Sequence, residues 1–356
     1  MTLRLRVDPS QLGESAAAHA LGDAARILRA GGLVALPTET VYGLGANALD
    51  PAAVARIFAA KQRPHWDPII VHIAPVKTRD AMLGGLVEPA AVNERVRRLM
   101  QAFWPGPLTL LLPRTRAVPD AVTAGRPLVG VRMPAHPVAV ELIRIAGLPI
   151  AAPSANLFGH ISPTTAAHVL HDLDGRIDAV LDAGPTGCGV ESTVLDPGPD
   201  PMIIYRPGAV TAEQIREVAG PVERYCEPGL PAETPRQPLP SPGVGLRHYA
   251  PRARLVVVDA PPQDLPGKLA AAAAEFPLET VGVMLPAGVA APAGIHPGRI
   301  CAWGRWGAPE EMARELYAGL RALDAEGCSV ILCPLPPEQG IGAAIRDRLR
   351  KAAREA

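Results

Sequence analysis

The sequence is poor in several features that would each point to one class of protein. Aromatic residues make up only 4% of the chain, too few for the rows of rings on which proteins stack single-stranded nucleic acid. The 35 Lys and Arg residues are balanced by 35 Asp and Glu residues, which argues against a broad basic surface for nucleic acid. No apolar run approaches the roughly 18 residues of a transmembrane helix, and residues 1–10 contain no apolar signal-peptide core. We therefore expect a cytoplasmic protein with no membrane partner and no stable nucleic-acid binding.

The cysteines exclude another common type of site. None of the five forms a CxxC pair or lies at zinc-ligand spacing from a histidine; they stand at Cys188, Cys226, Cys301, Cys328 and Cys333. We therefore predict no resident metal site on protein side chains.

Proline and glycine divide the chain. They are densest between Pro221 and Pro251, in a stretch without apolar periodicity that is typical of an extended linker. We predict a catalytic domain over 1–222, a linker over 223–251 and a C-terminal domain over 252–356, each domain being of ordinary size.

Apolar periodicity and turn residues predict an α/β fold in both domains. In the first domain we predict helices at 16–30 and 51–61, the second capped by Asp50 with Pro51 at its first position. Short apolar runs predict a mixed sheet, with strands at 33–36, 69–73, 108–112, 128–132, 179–182 and 193–196. In the C-terminal domain strands and helices alternate, which predicts a parallel, Rossmann-like sheet without the GxGxxG dinucleotide motif. Its strands are predicted at 254–258, 281–285 and 330–333, and its helices at 266–275, 309–324 and 342–353.

Two polar segments of the first domain lie at a turn and at a helix end. Pro37–Ala48 places hydroxyls and a carboxylate beside two glycines, which suits a small polar ligand. On its own this segment slightly favours a tight turn between strands. Ala60–Pro64 places Lys61 and Arg63 at a helix end, where they could bind phosphate groups. On their own, such cations are more often a solvated helix terminus.

Two further polar segments follow. Ala151–Thr164 is a loop rich in Gly and Pro whose backbone N–H groups suit an anion, and Ser162-Pro163 predicts a helix start with Ser162 as the cap. Gly189–Asp196 places Glu191, Ser192 and Thr193 before an apolar strand. The simpler alternative for the first segment is an elaborate helix start, and for the second it is the ordinary entry into a strand.

Together and in this order, the four segments resemble the YrdC-like family in its long, two-domain form, threonylcarbamoyl-AMP synthase. The hallmarks of the family are present as PTETVYGLG, a KxR pair, an SxN loop and an EST turn; they lie at Pro37–Gly45, Lys61 and Arg63, Ser154 and Asn156, and Glu191–Thr193. SPGVGLRHYAP (241–251) is similar to the interdomain motif of the family, and GIGAAIRDRLRKAA (340–353) to its C-terminal signature. The resemblance spans nearly the whole chain.

The resemblance implies a fold, a reaction and a set of site residues. The fold is a YrdC-like mixed-sheet catalytic domain, followed by the linker and the smaller Rossmann-like domain. The enzyme is a nucleotidyltransferase that joins L-threonine, bicarbonate and ATP, with Mg²⁺ accompanying ATP, and releases pyrophosphate. Its product, threonylcarbamoyl-AMP, serves the machinery that modifies tRNA next to the anticodon.

The implied residue roles follow the motifs. Lys61 and Arg63 are the implied catalytic cations, facing the triphosphate. The ATP site further includes Asp67, Leu128, Ser154, Ser162, Arg206 and Tyr249. The threonine site comprises Thr40, His72, Arg132, Ala152 and Ser192. Alternatives remain for single residues, because His72 follows an apolar strand and suits a buried structural role, and Arg206 precedes Pro207 and suits a surface position.

The sequence departs from the family pattern at two places. Asp67 stands where the family pattern has Asn. The neutral amide near the triphosphate is thereby replaced by a carboxylate, which suits contact with the phosphates through a metal ion. Leu157 and Phe158 replace a more polar pair, which predicts a more apolar pocket wall.

Three alternatives to this function stay open at the level of sequence. One is an RNA-binding or maturation factor that uses the YrdC-like concave face, and another is a carbamoyltransferase built on the same domain. A third is a regulatory or scaffold role for the C-terminal domain, which is compatible with the main hypothesis.

The linker motif leads to a prediction of its own. Arg247, His248 and Tyr249 follow one another in a Pro- and Gly-rich frame, which a plain spacer does not need. We therefore predict that residues 241–251 cover the nucleotide site as a lid, with Tyr249 contacting ATP or the adenylate. The simpler alternative is a linker that packs against one domain.

Overall fold

The chain divides into two units that we describe separately. The computed structural model describes residues 1–75, 83, 85–226, 239–241, 243–244 and 248–354. Unit 1 holds most of the described residues up to 244, and unit 2 holds 159–162, 188–190 and the described residues from 248 onward. Among the described residues, no helix combines the length and the apolar character that crossing a bilayer requires.

Unit 1 is built on a mixed sheet. In the described residues eleven strands lie in the order β1-β8-β2-β3-β7-β4-β6-β5-β9-β10-β11. The strands are β1 (Leu3–Arg6), β2 (Val34–Leu36), β3 (Gly43–Asn47), β4 (Ile70–His72), β5 (Leu108–Pro113), β6 (Leu128–Arg132), β7 (Ile150–Ala151), β8 (Ala179–Asp182), β9 (Thr193–Asp196), β10 (Met202–Arg206) and β11 (Val222–Arg224). The sheet contains both parallel pairs, such as β4 with β6, and antiparallel pairs, such as β5 with β6.

Helices cover the sheet because its side chains alternate between two apolar clusters. On β2, Ala35 lies in one cluster and Val34 and Leu36 lie in the other. The helices of unit 1 are α1 (Ser15–Arg29), α2 (Pro51–Lys61), α3 (Glu94–Phe103), α4 (Asp120–Thr123), α5 (Pro137–Ala146), α6 (Ala166–Leu173) and α7 (Ala212–Ala219). Helices α1 and α5 pack on the side of Val34, whereas α2, α3, α6 and α7 pack on the side of Ala35.

Of the two helix caps that the sequence predicted, one is present in the structure and the other is not. Helix α2 begins as predicted, because the Asp50 carboxylate accepts a hydrogen bond from the Ala52 N–H and Pro51 opens the helix. The prediction that Ser162 caps a helix is wrong. Helix α6 starts at Ala166, where the Thr165 hydroxyl accepts from the His168 N–H, so the residues from Ser162 to Thr164 remain loop.

Unit 2 contains the predicted parallel sheet. Its four strands lie in the order β12-β15-β13-β14, and all three neighbouring pairs are parallel. The elements are β12 (Arg254–Val258), α8 (Leu265–Ala273), β13 (Val281–Ala287), β14 (Ile300–Arg305), α9 (Pro309–Ala325), β15 (Val330–Pro334) and α10 (Gly342–Ala352). This arrangement confirms the Rossmann-like prediction, and β14 is the strand that the sequence analysis did not find.

Candidate functional site

Alternation along the central strands of unit 1 brings polar side chains to one face of the sheet. Val71 on β4 and Val131 on β6 lie in the larger apolar cluster. His72 and Arg132 follow them directly and are register partners on these neighbouring strands. Because successive side chains alternate between faces, both emerge on the opposite face, and both are buried there.

Arg132 organises the first polar group on this face. Its Nη1 donates to the Thr40 hydroxyl at 3.0 Å, and its Nε donates to the Gly106 carbonyl at 3.2 Å. Its Nη2 lies 2.6 Å from Glu39 Oε1 in an ion pair. Thr38 and Thr40 are joined hydroxyl to hydroxyl at 2.8 Å. The PTETVYGLG segment is thus bound to the strand that carries Arg132, and its hydroxyls are not solvated.

His72 is a neutral group in this site. Burial, followed by the charge of Arg132 and then that of Arg206, lowers the pKa of His72 to about 3, although hydrogen bonds with the backbone of Ile70 and Ile150 oppose part of this shift. Among the described residues, its Nδ1 has no hydrogen-bond partner. A buried neutral imidazole with an unpaired nitrogen is able to bind a polar ligand, whereas a purely structural histidine would have both nitrogens satisfied.

Ser192 and Arg206 form the second polar group. Arg206 Nη2 donates to the Ser192 hydroxyl at 3.0 Å, and Arg206 Nε donates to the Ser192 carbonyl at 3.1 Å. The same hydroxyl lies 2.8 Å from that of Thr109 on β5. Arg206 is 5% exposed, so the surface position that its sequence context allowed is wrong.

Lys61 joins the end of α2 to the SxN loop. Its Nζ donates to the Ser154 carbonyl at 2.6 Å and also to the Asn156 carbonyl. Lys61 is only 1% exposed. Burial, followed by the charge of Arg63, lowers its pKa well below the usual value for lysine. The solvated helix terminus that the sequence favoured for this segment alone is therefore wrong.

Arg63 and Asp67 form a buried ion pair. The Arg63 Nη2 lies 2.9 Å from Asp67 Oδ2, and the two side chains are 5% and 2% exposed. Arg63 also donates to the carbonyls of Asp67 and Pro68, and its guanidinium carbon lies 6.0 Å from the centre of the Phe158 ring. Phe158 therefore packs against the cation of the KxR motif.

Cations outnumber carboxylates in this buried region. Burial raises the pKa of Asp67, and Arg63, Lys61 and Arg206 oppose that rise. These three cations are therefore within electrostatic range of one carboxylate, whose Oδ1 has no hydrogen-bond partner in the part of the chain that the structure describes. Burying like charges together is costly. An anionic ligand would offset that cost, because phosphate oxygens form charge-assisted hydrogen bonds with Lys and Arg.

The structure places the remaining predicted residues in different surroundings. Ala152 is buried, and its N–H already donates to Ile70 of β4. Leu128 begins β6 and packs beside Ile70, Leu111 and Val194. Ser162 and Tyr249 belong to unit 2 and are both buried. Arg247 of the predicted lid lies outside the described residues.

Two residues of the site were not singled out as site residues from the sequence. Glu39 lies inside the PTETVYGLG motif, so the motif itself could have pointed to it. Thr109 is one hydroxyl within an apolar strand, and its contact with Ser192 has no local sequence signal. Phe158 was predicted as part of an apolar pocket wall, but its contact with Arg63 was not.

Comparison with known proteins agrees with these motifs along the chain. Residues 26–208 match a family model described as telomere recombination, and residues 210–354 match the model of the threonylcarbamoyl-AMP synthase C-terminal domain. The threonylcarbamoyl-AMP synthase of Bacillus subtilis is 44% identical over 337 residues, which cover 94% of this chain and 92% of that protein. The chain belongs to the threonylcarbamoyl-AMP synthase family.

Proteins of one archaeon are related to this chain in sequence and in structure. The threonylcarbamoyl-AMP synthase of Pyrococcus abyssi is 42% identical over 333 residues, or 93% of each chain. Solved structures of P. abyssi Sua5 superpose with TM-scores of 0.84 and 0.85 at 39% identity, covering 99% of this chain. They cover 97% and 96% of the solved chains. One of them is a complex with L-threonine, and the other is a variant in which an adjacent histidine and tyrosine are replaced by alanine. The YrdC-like fold with a C-terminal domain is thereby confirmed.

Proposed function

We propose that this protein is an L-threonylcarbamoyladenylate synthase. It joins L-threonine, bicarbonate and ATP to give threonylcarbamoyl-AMP and pyrophosphate. The observation that carries the proposal is the buried cation group of Lys61, Arg63 and Arg206, whose three charges all act on the buried Asp67 carboxylate, while Asp172 acts on Lys61 as well. Such a group is suited to a polyphosphate rather than to an uncharged ligand.

The reaction needs no nucleophile from the protein. The threonine amine takes up bicarbonate as a carbamate with loss of water. A carbamate oxygen then forms a bond to the α-phosphorus of ATP, and the bond from that phosphorus to the bridging oxygen breaks to release pyrophosphate. Lys61, Arg63 and Arg206 neutralise charge on the phosphates, and the rate gain comes from positioning and electrostatic stabilisation.

Threonine binds at the polar group around Arg132. The guanidinium suits the substrate carboxylate, and Thr40, His72 and Ser192 offer polar contacts to its amine and hydroxyl. Arg132 is already held by Thr40, Gly106 and Glu39, so it is preorganised before threonine arrives. The relative solved with L-threonine supports threonine as a ligand of this family.

Magnesium accompanies ATP as part of the substrate. Among the described residues, no cluster of three or more His, Cys, Asp or Glu side chains could hold a metal by itself. Phosphate oxygens and water usually provide most ligands of such an ion. The unpaired Oδ1 of Asp67 is one buried carboxylate oxygen that fits this role. Asp67 would thus hold the ion, which neutralises phosphate charge when bound.

We keep the lid formed by residues 241–251 as part of this proposal. The Leu239 N–H donates to the Trp66 carbonyl at 3.1 Å within unit 1, and Trp66 directly precedes Asp67. Leu239, Ser241 and Val244 are buried, which excludes a solvated spacer and is compatible both with a lid and with a linker packed against one domain. This chain also has an adjacent histidine and tyrosine, His248 and Tyr249, the residue types that were replaced in the P. abyssi variant. The product then passes to the tRNA threonylcarbamoyl-transfer machinery in the cytoplasm.

One assay tests the reaction. Purified protein is incubated with ATP, bicarbonate and labelled threonine, and pyrophosphate and the labelled adenylate are measured. Pyrophosphate release should require both threonine and bicarbonate, and equal release from ATP alone would show a simple ATPase.

A second substrate tests the threonine pocket. Valine should react at least about a hundredfold less efficiently, because it leaves buried polar groups of the pocket unpaired. Comparable turnover of valine would contradict a pocket that includes Thr40 and Ser192. An RNA-binding factor would give neither result.

A further inference from the structure

Two short segments from the middle of the chain belong to unit 2. They are residues 159–162 and 188–190, which the fold groups with the C-terminal sheet. The first segment ends at Ser162 and follows the SxN loop. The second is followed directly by Glu191 and Ser192. Each segment is therefore covalently continuous with a motif that we assign to substrate binding.

Hydrogen bonds hold the first segment to the C-terminal part of unit 2. Arg321 on α9 donates through Nη2 to the Ile161 carbonyl. The Ala250 N–H donates to the Gly159 carbonyl at 2.8 Å, and His160 pairs with Ala250 in an isolated parallel bridge. Ile161 is 3% and Ser162 is 0% exposed. Helix α9 and the end of the linker thus fix the backbone on either side of His160.

Close backbone contact holds the second segment to the same helix. Gly189 has a φ of +77°, and a Cβ atom there would lie 2.2 Å from the Ala313 carbonyl oxygen and 2.5 Å from the Arg314 Cα. A real Cβ atom is essentially never so close to backbone. Only glycine allows α9 to approach this segment, and Val190 next to it is fully buried.

We propose that α9 positions both loops, and that Arg321 and Gly189 are positioning residues for the two substrates. Arg321 sets the loop that carries Ser162, which we assign to ATP. Gly189 sets the loop that leads into Ser192, which we assign to threonine. This inference rests on the proposed function and gives the C-terminal domain a part in substrate affinity. A domain that merely adds stability would not affect the two substrates differently.

The two residues predict different kinetic effects. Arg321→Ala should raise KM for ATP about tenfold, with KM for threonine and kcat nearly unchanged, since it removes one charge-assisted hydrogen bond from the ATP loop. Arg321→Lys, which still donates one hydrogen bond, should recover most of the ATP affinity. Gly189→Ala should instead raise KM for threonine by a similar factor.

Matched control variants separate these effects from a general loss of folding or stability. Arg305→Ala removes an exposed arginine of the same unit that pairs with Glu311. Gly327→Ala places a Cβ at a nearly equal φ of +73°, where no heavy atom lies within 4 Å. Both controls should keep wild-type KM values for ATP and for threonine, while Gly327→Ala reports the cost of the backbone strain alone.

The outcomes are distinguishable from failure of the proposed function. The dissociation constant of a non-hydrolysable ATP analogue is measured calorimetrically on the full chain, so it does not require turnover. A weaker constant for Arg321→Ala, restored by Arg321→Lys, supports the positioning role even if the wild-type protein forms no adenylate. Unchanged constants, or an equal loss of affinity for both substrates in every variant, would refute it. If Arg321→Ala does not fold, Gly189→Ala decides: a rise in KM for threonine without a matching rise in KM for ATP supports the proposal, and an unchanged ratio of the two KM values refutes it.

Discussion

Arg63 contributes both to the stability of the fold, through its buried ion pair with Asp67, and, by our proposal, to activity. Substitutions at the pair can separate these two contributions. Arg63→Ala leaves Asp67 buried without its partner, so we expect a loss of about 3 kcal/mol in the free energy of unfolding. This exceeds the roughly 0.3–1 kcal/mol that an exposed helix-end charge contributes, which was the expectation from the sequence alone. Urea unfolding measures the change.

A double variant is the control for this pair. Arg63→Met combined with Asp67→Asn removes both charges, and should recover much of the lost stability while pyrophosphate release stays low. Wild-type stability of Arg63→Ala would contradict the buried pair. Wild-type activity of the double variant would contradict the role of Arg63 at the triphosphate.

His72 predicts an acid-sensitive fold. Burial lowers its pKa from 6.5 to about 3, so the unfolded chain binds a proton more readily than the folded chain. Stability from this group is complete above the unfolded pKa and is lost as the pH falls from 6.5 toward 3, at up to about 1.4 kcal/mol per pH unit. His72→Gln should flatten this slope in urea unfolding measured across that range.

The matched control for His72 is another histidine. His19→Gln on α1 replaces an exposed side chain and should leave the dependence on pH as it is in the wild type. If His72→Gln and His19→Gln gave the same slope, His72 would not be the buried neutral group described above.

At the scale of elements, the turn before β9 depends on a close approach by Gly208. A Cβ at Gly208 would lie 2.3 Å from the Thr193 backbone nitrogen and 2.6 Å from the Glu191 carbonyl oxygen. These atoms flank Ser192, so Gly208→Ala should displace the Ser192 hydroxyl from Arg206 and raise KM for threonine about tenfold. Steady-state kinetics measure this. Gly22→Ala on α1, where a Cβ meets nothing within 4 Å, should keep wild-type kinetics.

Elements with local signals could be predicted from the sequence. Helix α2 has Asp50 and Pro51 at its start, and its predicted and observed bounds agree. Strands β6, β8, β9 and β12 also have their predicted bounds, since each is a short apolar run. Helix α6 was placed three residues too early, because Ser162 and Thr165 both fit the rule for a helix cap and only the fold chooses between them.

Elements that depend on distant contacts could not be predicted. Strand β3 contains two glycines, and the sequence slightly favoured a turn there. Gly45 is nevertheless part of the strand, because the side chains of Ile150 and Leu36 approach it so closely that they leave no room for a Cβ atom. The site follows the same rule. The motifs indicated Lys61 and Arg63, but their burial depends on Ser154, Asn156 and Phe158, some ninety residues further along the chain.

At the scale of the whole molecule, the proposed lid is tested at Tyr249. This residue has a φ of 63°, unusual for a tyrosine, and is 1% exposed. Within unit 2 its ring stacks on Tyr317 at 6.1 Å between centroids, and the Arg348 guanidinium carbon lies 5.0 Å from it. Tyr249→Ala should weaken ATP binding and shorten the lifetime of the adenylate. Tyr249→Phe keeps the ring and should retain most of both.

Truncation provides the complementary test of the lid. A chain that ends before Ser241 should bind ATP more weakly than the full chain. It should also hold the adenylate for a shorter time, and the measurement is the amount of intact, enzyme-bound adenylate that remains over time. If the truncated chain and Tyr249→Ala both retained wild-type ATP affinity and held the adenylate as long, residues 241–251 would not be a lid.

The sheet order of unit 1 has a consequence for how the protein is made. In the part of the chain that the structure describes, strand β1 lies at an edge of the sheet and pairs with β8 alone, with Leu3 opposite Ala179. On the ribosome its partner therefore emerges roughly 175 residues later, a long closure that slows pairing. Until then the strand is free to pair with a neighbouring nascent chain. Its sequence LRLR carries Arg4 and Arg6, and charges on an unpaired edge oppose such association. The two arginines protect β1 during synthesis, and Arg4 then pairs with Asp182 at the far end of the finished strand pair.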